Sequence, residues 1–318
     1  MRCIFCLQER DSTLEHIFPD AVGGRLTTDR VCKPCNDHLG AQVDHFLTEH
    51  ELIILKRAML GMTNRAGRPI NPWAKVFGEG ILAADPDQRI QIVPDPKTGA
   101  LHPRVMYNRT VVEGENGPEA VQVIIDASKA NDLPKIVSRE RKRLGLPDLN
   151  AQEMAKIVEN LRANVQKIEQ PSVRGSINID IHDFKRAMLK IVYELAWLWL
   201  GDEYLEDPSA AALRDRVFNG KEVDIEGRID FDTSVPPFSV WNREPDAHIA
   251  LGRRAENRYV IGIRVFNVMA ALVPVTRDAT RYPDADKSHF ILTDLVGSKS
   301  RNITLEKEIA RLPKFMPR

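Results

Sequence analysis

The stretch "MRCIFCLQERDSTLEHIFPDAVGGRLTTDRVCKPCN", residues 1–36, decides how this chain begins to fold. It holds all four cysteines of the 318 residues, Cys3 and Cys6 in one C-x2-C pair and Cys32 and Cys35 in the other. A gap of two residues lets a tight turn aim both sulfurs at one ion, so two such pairs predict a tetrahedral zinc thiolate site. Redox dithiols would need a thioredoxin-like strand and helix after each pair, and neither pattern follows here. Between the pairs Glu15 and His16 stand side by side, then come Pro19 and the Gly23-Gly24 pair, and Asn36 directly follows the last cysteine.

Outward from the cysteines, the pattern predicts a strand over 13–17, a loop through Pro19 and the glycines, and a second strand over 26–32. A helix follows from about residue 34, its apolar Leu39, Val43, Phe46 and Leu47 recurring at helical spacing. Thr48 and Glu51 make a capping-box pattern for a further helix over 51–60, closed by Gly61. About sixty residues bury too small a core to be robust alone, so zinc is expected to hold this segment folded. "TNRAGRPINPW", 63–73, is punctuated by Gly and Pro and is read as a boundary, with a zinc-stapled domain over 1–68 and a second domain over 69–318.

Beyond the boundary, alternating runs over 88–94, 104–112 and 120–126 read as a three-stranded antiparallel meander. Two polar helices are expected over 133–145, ended by Gly145, and over 151–168, begun by Asn150 with Glu153 three residues on. The run "MLKIVYELAWLWLG" from Met188 contains Lys190 and Glu194 and is too short to span a bilayer, so it reads as the buried spine of the second core. Strands follow over 248–252, 258–265, 267–275 and 289–295. The fold class expected is α+β, with a mostly antiparallel sheet and a buried central helix.

A composition of 43% hydrophobic and 28% charged residues is that of an ordinary globular protein rather than a disordered one. No basic segment followed by an apolar one opens the sequence, so a cytoplasmic protein without a membrane partner is expected. Lys plus Arg, 45, equals Asp plus Glu, 45, and only local basic patches can attract nucleic acid. Two are visible: Arg65 and Arg68 in the boundary loop, and Arg139, Arg141, Lys142 and Arg143 on the first polar helix. A solvated helix face is the plainer reading of the second.

The residues beside the zinc pattern suit phosphodiester hydrolysis. That chemistry needs oxygen ligands for a hard cation and a base to take a proton from water. Glu15 and Asn36 supply the oxygens. His16 supplies the base, its unperturbed pKa of about 6.5 leaving the ring largely neutral at working pH. With "CIFC", "EHIFP", "GG" and "VCKPCN", residues 1–68 resemble the HNH endonucleases, also called ββα-metal or His-Me finger nucleases, of the zinc-stapled kind. The resemblance implies that His16 activates water, that Glu15 and Asn36 hold a catalytic Mg2+ or Mn2+, and that Cys3, Cys6, Cys32 and Cys35 bind structural zinc. It implies a DNA substrate that is nicked or cut through, in a setting such as bacterial restriction or phage defence. Many members carry a third ligand one helical turn after the asparagine, where this sequence has Gly40, leaving His38 or Asp44 as substitutes.

His38, His45 and His50 otherwise read as solvated or capping residues, and His102, His182, His248 and His289 as structural ones. A competing function is a zinc-containing module that binds nucleic acid or protein without cutting, for which Glu15, His16 and Asn36 together would be superfluous. The second domain is expected to dock substrate, to regulate, or to bind protein partners or a second copy of the chain.

Overall fold

A short hairpin comes first. β1 (Ser12–His16) pairs antiparallel with β2 (Thr27–Cys32), His16 opposite Thr27 and Ser12 opposite Cys32. The connecting loop requires its two glycines: Gly23 has φ +82°, and a Cβ on Gly24 would fall 1.7 Å from the Phe18 carbonyl oxygen. Then α1 (Lys33–Leu39), with Pro34 in its first turn, runs through a π turn at Gly40–Asp44 into α2 (His45–Thr48) and on to α3 (Glu51–Met59). The Thr48–Glu51 capping box does not form. Thr48 ends α2, and His50 takes the cap, its Nδ1 accepting the Leu52 N–H at 3.3 Å. The computed structural model describes residues 1–64, 66–72, 78–94, 101–114, 117–163, 172–174, 182–234, 236–297 and 299–312.

The chain divides into two units, Met1–Ile70 with Ile179–Arg318, and Asn71–Asn178. The smaller unit contains β3 (Glu79–Leu82), β4 (Asp85–Pro94), β5 (Leu101–Val105), β6 (Asn108–Gly114), β7 (Gly117–Ile124), α4 (Leu133–Arg143), α5 (Ala151–Ala163) and β8 (Val173–Arg174). It corrects the expected three-stranded meander. The run 104–112 breaks at Met106 and Tyr107, where the Met106 N–H bonds the Arg89 carbonyl at 2.9 Å and the Gln88 amide bonds the Met106 carbonyl at 3.1 Å. β5 thus joins a four-stranded sheet in the order β5-β4-β3-β8, and β6 pairs with β7 in a separate ribbon. Asn150 caps α5 as expected: its Oδ1 accepts from the N–H groups of Gln152 and Glu153, and the Glu153 carboxylate accepts from the Asn150 N–H. Residues 164–168 of the expected helix lie outside the described residues.

The larger unit resumes with α6 (His182–Leu200), α7 (Pro208–Asn219), β9 (Arg228–Asp230), β10 (Ala247–Ala255), β11 (Arg258–Val265), β12 (Met269–Thr276), β13 (His289–Asp294), β14 (Lys299–Ile303) and α8 (Leu305–Arg311). Its sheet is antiparallel throughout, in the order β14-β13-β10-β11-β12-β9. Alternation along the strands splits the apolar residues between two faces. One face, with Ile261, Ile263 and Val273, shares a single core with Ile191 and Leu195 of α6 and with Ile4, Ile17, Val31 and Leu39 of the N-terminal segment. The other buries Phe290 and Leu292 with Trp241 and with Leu305 of α8. No helix among the described residues is long and apolar enough to cross a membrane.

The boundary after residue 68 therefore does not separate a self-contained module from everything that follows. α6 is apolar nearly all round because it is covered on one side by the sheet and on another by the N-terminal helices. A fragment of residues 1–70 is accordingly expected not to fold cooperatively even with zinc present. A sharp thermal transition and dispersed amide resonances from that fragment would contradict the shared core.

His248 ties the hairpin loop to the sheet, its Nε2 lying 2.8 Å from the Val22 carbonyl oxygen and its Nδ1 3.3 Å from the Phe266 N–H. A neutral ring donates the first bond and accepts the second, and a protonated ring has no acceptor left. Burial lowers its pKa from 6.5 to about 4, with the Val22 bond opposing and Arg264 adding to the fall. The folded His248 ring thus binds fewer protons than the unfolded one between those values, so its contribution to stability falls as pH drops from about 6.5 toward 4, by up to about 3 kcal/mol. Thermal melts of the parent protein and of His248→Gln across that window should differ by this slope, which the opposing linkage of Asp44 and Glu194, common to both, leaves in place.

Candidate metal centre and active site

Cys3 and Cys6 lie on a turn closed by the Leu7 N–H on the Cys3 carbonyl at 2.9 Å, with Leu7 at φ +58°. Cys32 ends β2 and Cys35 sits in the first turn of α1. The four sulfurs all lie within 4.8 Å of one another, and Cys6 Sγ is 3.8 Å from Cys32 Sγ. A tetrahedron with zinc–sulfur bonds of about 2.3 Å has an edge of about 3.8 Å. The Cys32 N–H points at Cys3 Sγ at 3.4 Å, a donor suited to a thiolate. Burial, and then the crowding of Cys32, Cys3 and Cys6, pushes the Cys35 thiol up. A divalent cation among the sulfurs relieves that cost, and the donor set fits zinc.

Beside this cluster the end of β1 carries Glu15 and His16. The Asn36 side chain reaches back from α1 and donates to Thr13 Oγ1 at 3.1 Å and to the Leu14 carbonyl at 2.9 Å. Thr13 Oγ1 in turn donates to the Val31 carbonyl at 2.9 Å. Strand, partner strand and helix are thus fastened together two and three residues before His16, whose ring is half-buried. Residues 3–52 match the HNH endonuclease family. No curated protein and no solved structure matches the chain. The matched residues enclose all four cysteines, Glu15, His16 and Asn36; the match suggests nuclease activity and implies a nucleic-acid substrate.

Glu15 departs from what the resemblance implies. Neighbouring strand residues face opposite ways, and while Leu14 is 64% exposed, Glu15 is turned into the core at 4%. There Lys190 of α6, itself wholly buried, donates to Glu15 Oε1 at 2.5 Å and to the His16 carbonyl at 2.7 Å. Asp44 and Glu194 complete the surroundings, with carboxylate oxygens 3.5 and 3.3 Å from the ammonium. Burial raises Glu194 well above the usual carboxylate range, and raises Asp44 to about 6, despite the nearby Lys190 charge. Burial alone would lower Lys190, but Asp44, Glu194 and Glu15 together hold it charged. The Glu15 carboxylate thus binds an internal ammonium through Oε1, a role that the resemblance does not imply, while the Asn36 bonds engage only its Nδ2. Removing one member of a buried pair strands the other, so Lys190→Met should cost about 3–5 kcal/mol. Glu15→Gln, which still accepts a hydrogen bond, should cost less; urea unfolding of both variants tests the order.

The other expected residues are spread more widely. His38 Nε2 lies 2.9 Å from the Phe218 carbonyl oxygen and its ring packs on Phe218, which makes it a packing residue rather than a substitute ligand. Asp44 does come to the Glu15 end of the segment, beside Lys190. Gly40 opens the π turn with open space where a side chain would project. Arg68 is exposed and closes a turn with Asn64; Arg65 lies outside the described residues. Arg139, Arg141, Lys142 and Arg143 do not form one patch. Arg139 and Arg143 bind the buried Glu140, whereas Arg141 donates to the Pro147 carbonyl at 2.9 Å. Lys190 and Glu194 were absent from the expected site, although two charges four residues apart inside an apolar helix are the signal that marks them.

Proposed function

We propose that this protein is an endonuclease that hydrolyses phosphodiester bonds in DNA, with His16 as general base and a ββα-metal arrangement of β1, β2 and α1. The family match over 3–52, which spans the acid–histidine pair, Asn36 and the zinc-fitting cysteines, carries the reading. The geometry supports it through the backbone around His16. Asn36 holds the Leu14 carbonyl from one side and Lys190 holds the His16 carbonyl from the other, so the imidazole projects from a fixed strand end. In that role the His16 imidazole takes a proton from water as the water oxygen attacks phosphorus and the ester phosphorus–oxygen bond breaks, the departing alkoxide taking a proton from solvent; zinc held by the four cysteines would keep β2 and α1 in register behind it.

Glu15 serves this base through Lys190, as a positioning residue. The test is incubation of supercoiled and linear DNA with the full chain in Mg2+ or Mn2+ and in EDTA. Cleavage that His16→Ala removes is the expected result. Tight DNA binding without cleavage under every condition would make the segment a binding module instead. Restriction or phage defence is the cellular setting proposed for this activity, tested by whether cells carrying His16→Ala lose protection from phage.

A further inference from the structure

The smaller unit contains a cavity of about 650 Å³ walled by β5, the turn before α4, and α4 itself. Lys135, Arg139 and Arg143 stand along it at four-residue intervals, a row of about 12 Å on one face of the helix. Arg104 and Lys129 supply cations from the other elements, and Tyr107 an aromatic ring that is 41% exposed. The row is prearranged. Buried Glu140 accepts from Arg139 Nε at 3.1 Å, Arg143 Nη1 at 3.0 Å, Arg109 Nε at 2.6 Å and the Tyr107 hydroxyl at 2.7 Å, while the Arg139 guanidinium lies 4.9 Å from the Tyr107 ring centre.

Five cationic side chains line the cavity against the carboxylates of Asp126 and Asp132, with Glu140 set in the wall behind. Asp126 is engaged by backbone: its oxygens accept from the N–H groups of Val105 and Ser128, each at 3.0 Å. The surplus is positive. A stacked strand rises about 3.4 Å per nucleotide, so an extended single strand, with its phosphates farther apart, presents at most three or four of them over about 12 Å. A cavity of this volume takes a strand of a few nucleotides and not a duplex, and cations beside an aromatic ring form the usual platform for single-stranded nucleic acid.

The geometry points to this cavity as a docking groove for the phosphodiester backbone of a single nucleic-acid strand. The inference rests on the nuclease reading for its choice of ligand. Arg104, Lys129 and Lys135 are exposed and outside the Glu140 cluster, so neutralising them tests the groove without dismantling its wall.

The experiment is fluorescence anisotropy of a labelled single-stranded DNA oligonucleotide with the full chain across a salt series. Arg104→Gln/Lys129→Gln/Lys135→Gln should raise Kd at least about tenfold at physiological salt and flatten the log–log salt slope by about 2, at roughly 0.7 per lost phosphate contact. Arg104→Lys/Lys129→Arg/Lys135→Arg, which keeps the charges, should bind as the parent does. Unchanged affinity and slope in the neutralised variant, with an unchanged melting temperature, would overturn the proposal. So would displacement of the oligonucleotide by AMP at matching affinity, which would make the cavity a mononucleotide site. Cleavage measured alongside separates the two readings: charge-dependent binding without cutting sustains the groove and sinks the nuclease, and cutting with binding indifferent to the three charges does the reverse.

Discussion

Cys32→Ser should unfold the whole larger unit and leave the smaller one standing. Structural zinc contributes on the order of 10 kcal/mol to the folding of a small module, which rivals the total stability of an ordinary domain. Cys3, Cys32 and Cys35 belong to the same core as α6 and β11, so the loss does not stay within the first 60 or so residues. Residues 71–178 have their own sheet and helices and should keep a separate transition. Calorimetry should show the larger unit's transition lost and the smaller one unmoved, and extended incubation with a chelator should reproduce the effect in the parent protein. Metal analysis that finds no zinc in the purified protein would defeat the expectation outright.

His16→Ala should lower the cleavage rate about 10²- to 10⁴-fold, the usual cost of losing a general base. The substitution is clean. Among the described residues no hydrogen bond holds the His16 ring, and the two clamps on this strand end reach backbone carbonyls that alanine retains. Zinc content, melting temperature and oligonucleotide affinity should stay at parental values, which separates a chemical loss from a structural one. Parental rates in a folded, zinc-loaded variant would show that another group takes the proton.

Local features of this fold were legible in the sequence where neighbouring residues determine them. The cysteine spacing, the Asn150 cap and the apolar run of α6 each express a rule that operates within a few residues. What could not be read is carried by partners far apart in sequence. Lys190 meets Glu15 across 175 positions, and no periodicity marks which carboxylate a buried lysine will choose. The break at Met106 and Tyr107 is set by the Gln88 and Arg89 contacts, whereas the run 104–112 alternates as one strand would. The site followed the same division: the four cysteines gather as their spacing predicts, whereas Glu15 meets Lys190 of α6, a helix that follows it by 175 residues.

The interleaving of the larger unit has a consequence in time. A ribosome adding about 5–20 residues per second releases the N-terminal segment long before β13, roughly 220 residues later, so about 10–45 s separate the two. During that interval the cysteines can gather a metal, but the lysine that steadies the His16 backbone and the sheet that covers α6 are still missing. A chain halted before residue 182 has the motif without the machinery. Under the proposed nuclease function, finishing synthesis becomes a condition of acquiring activity.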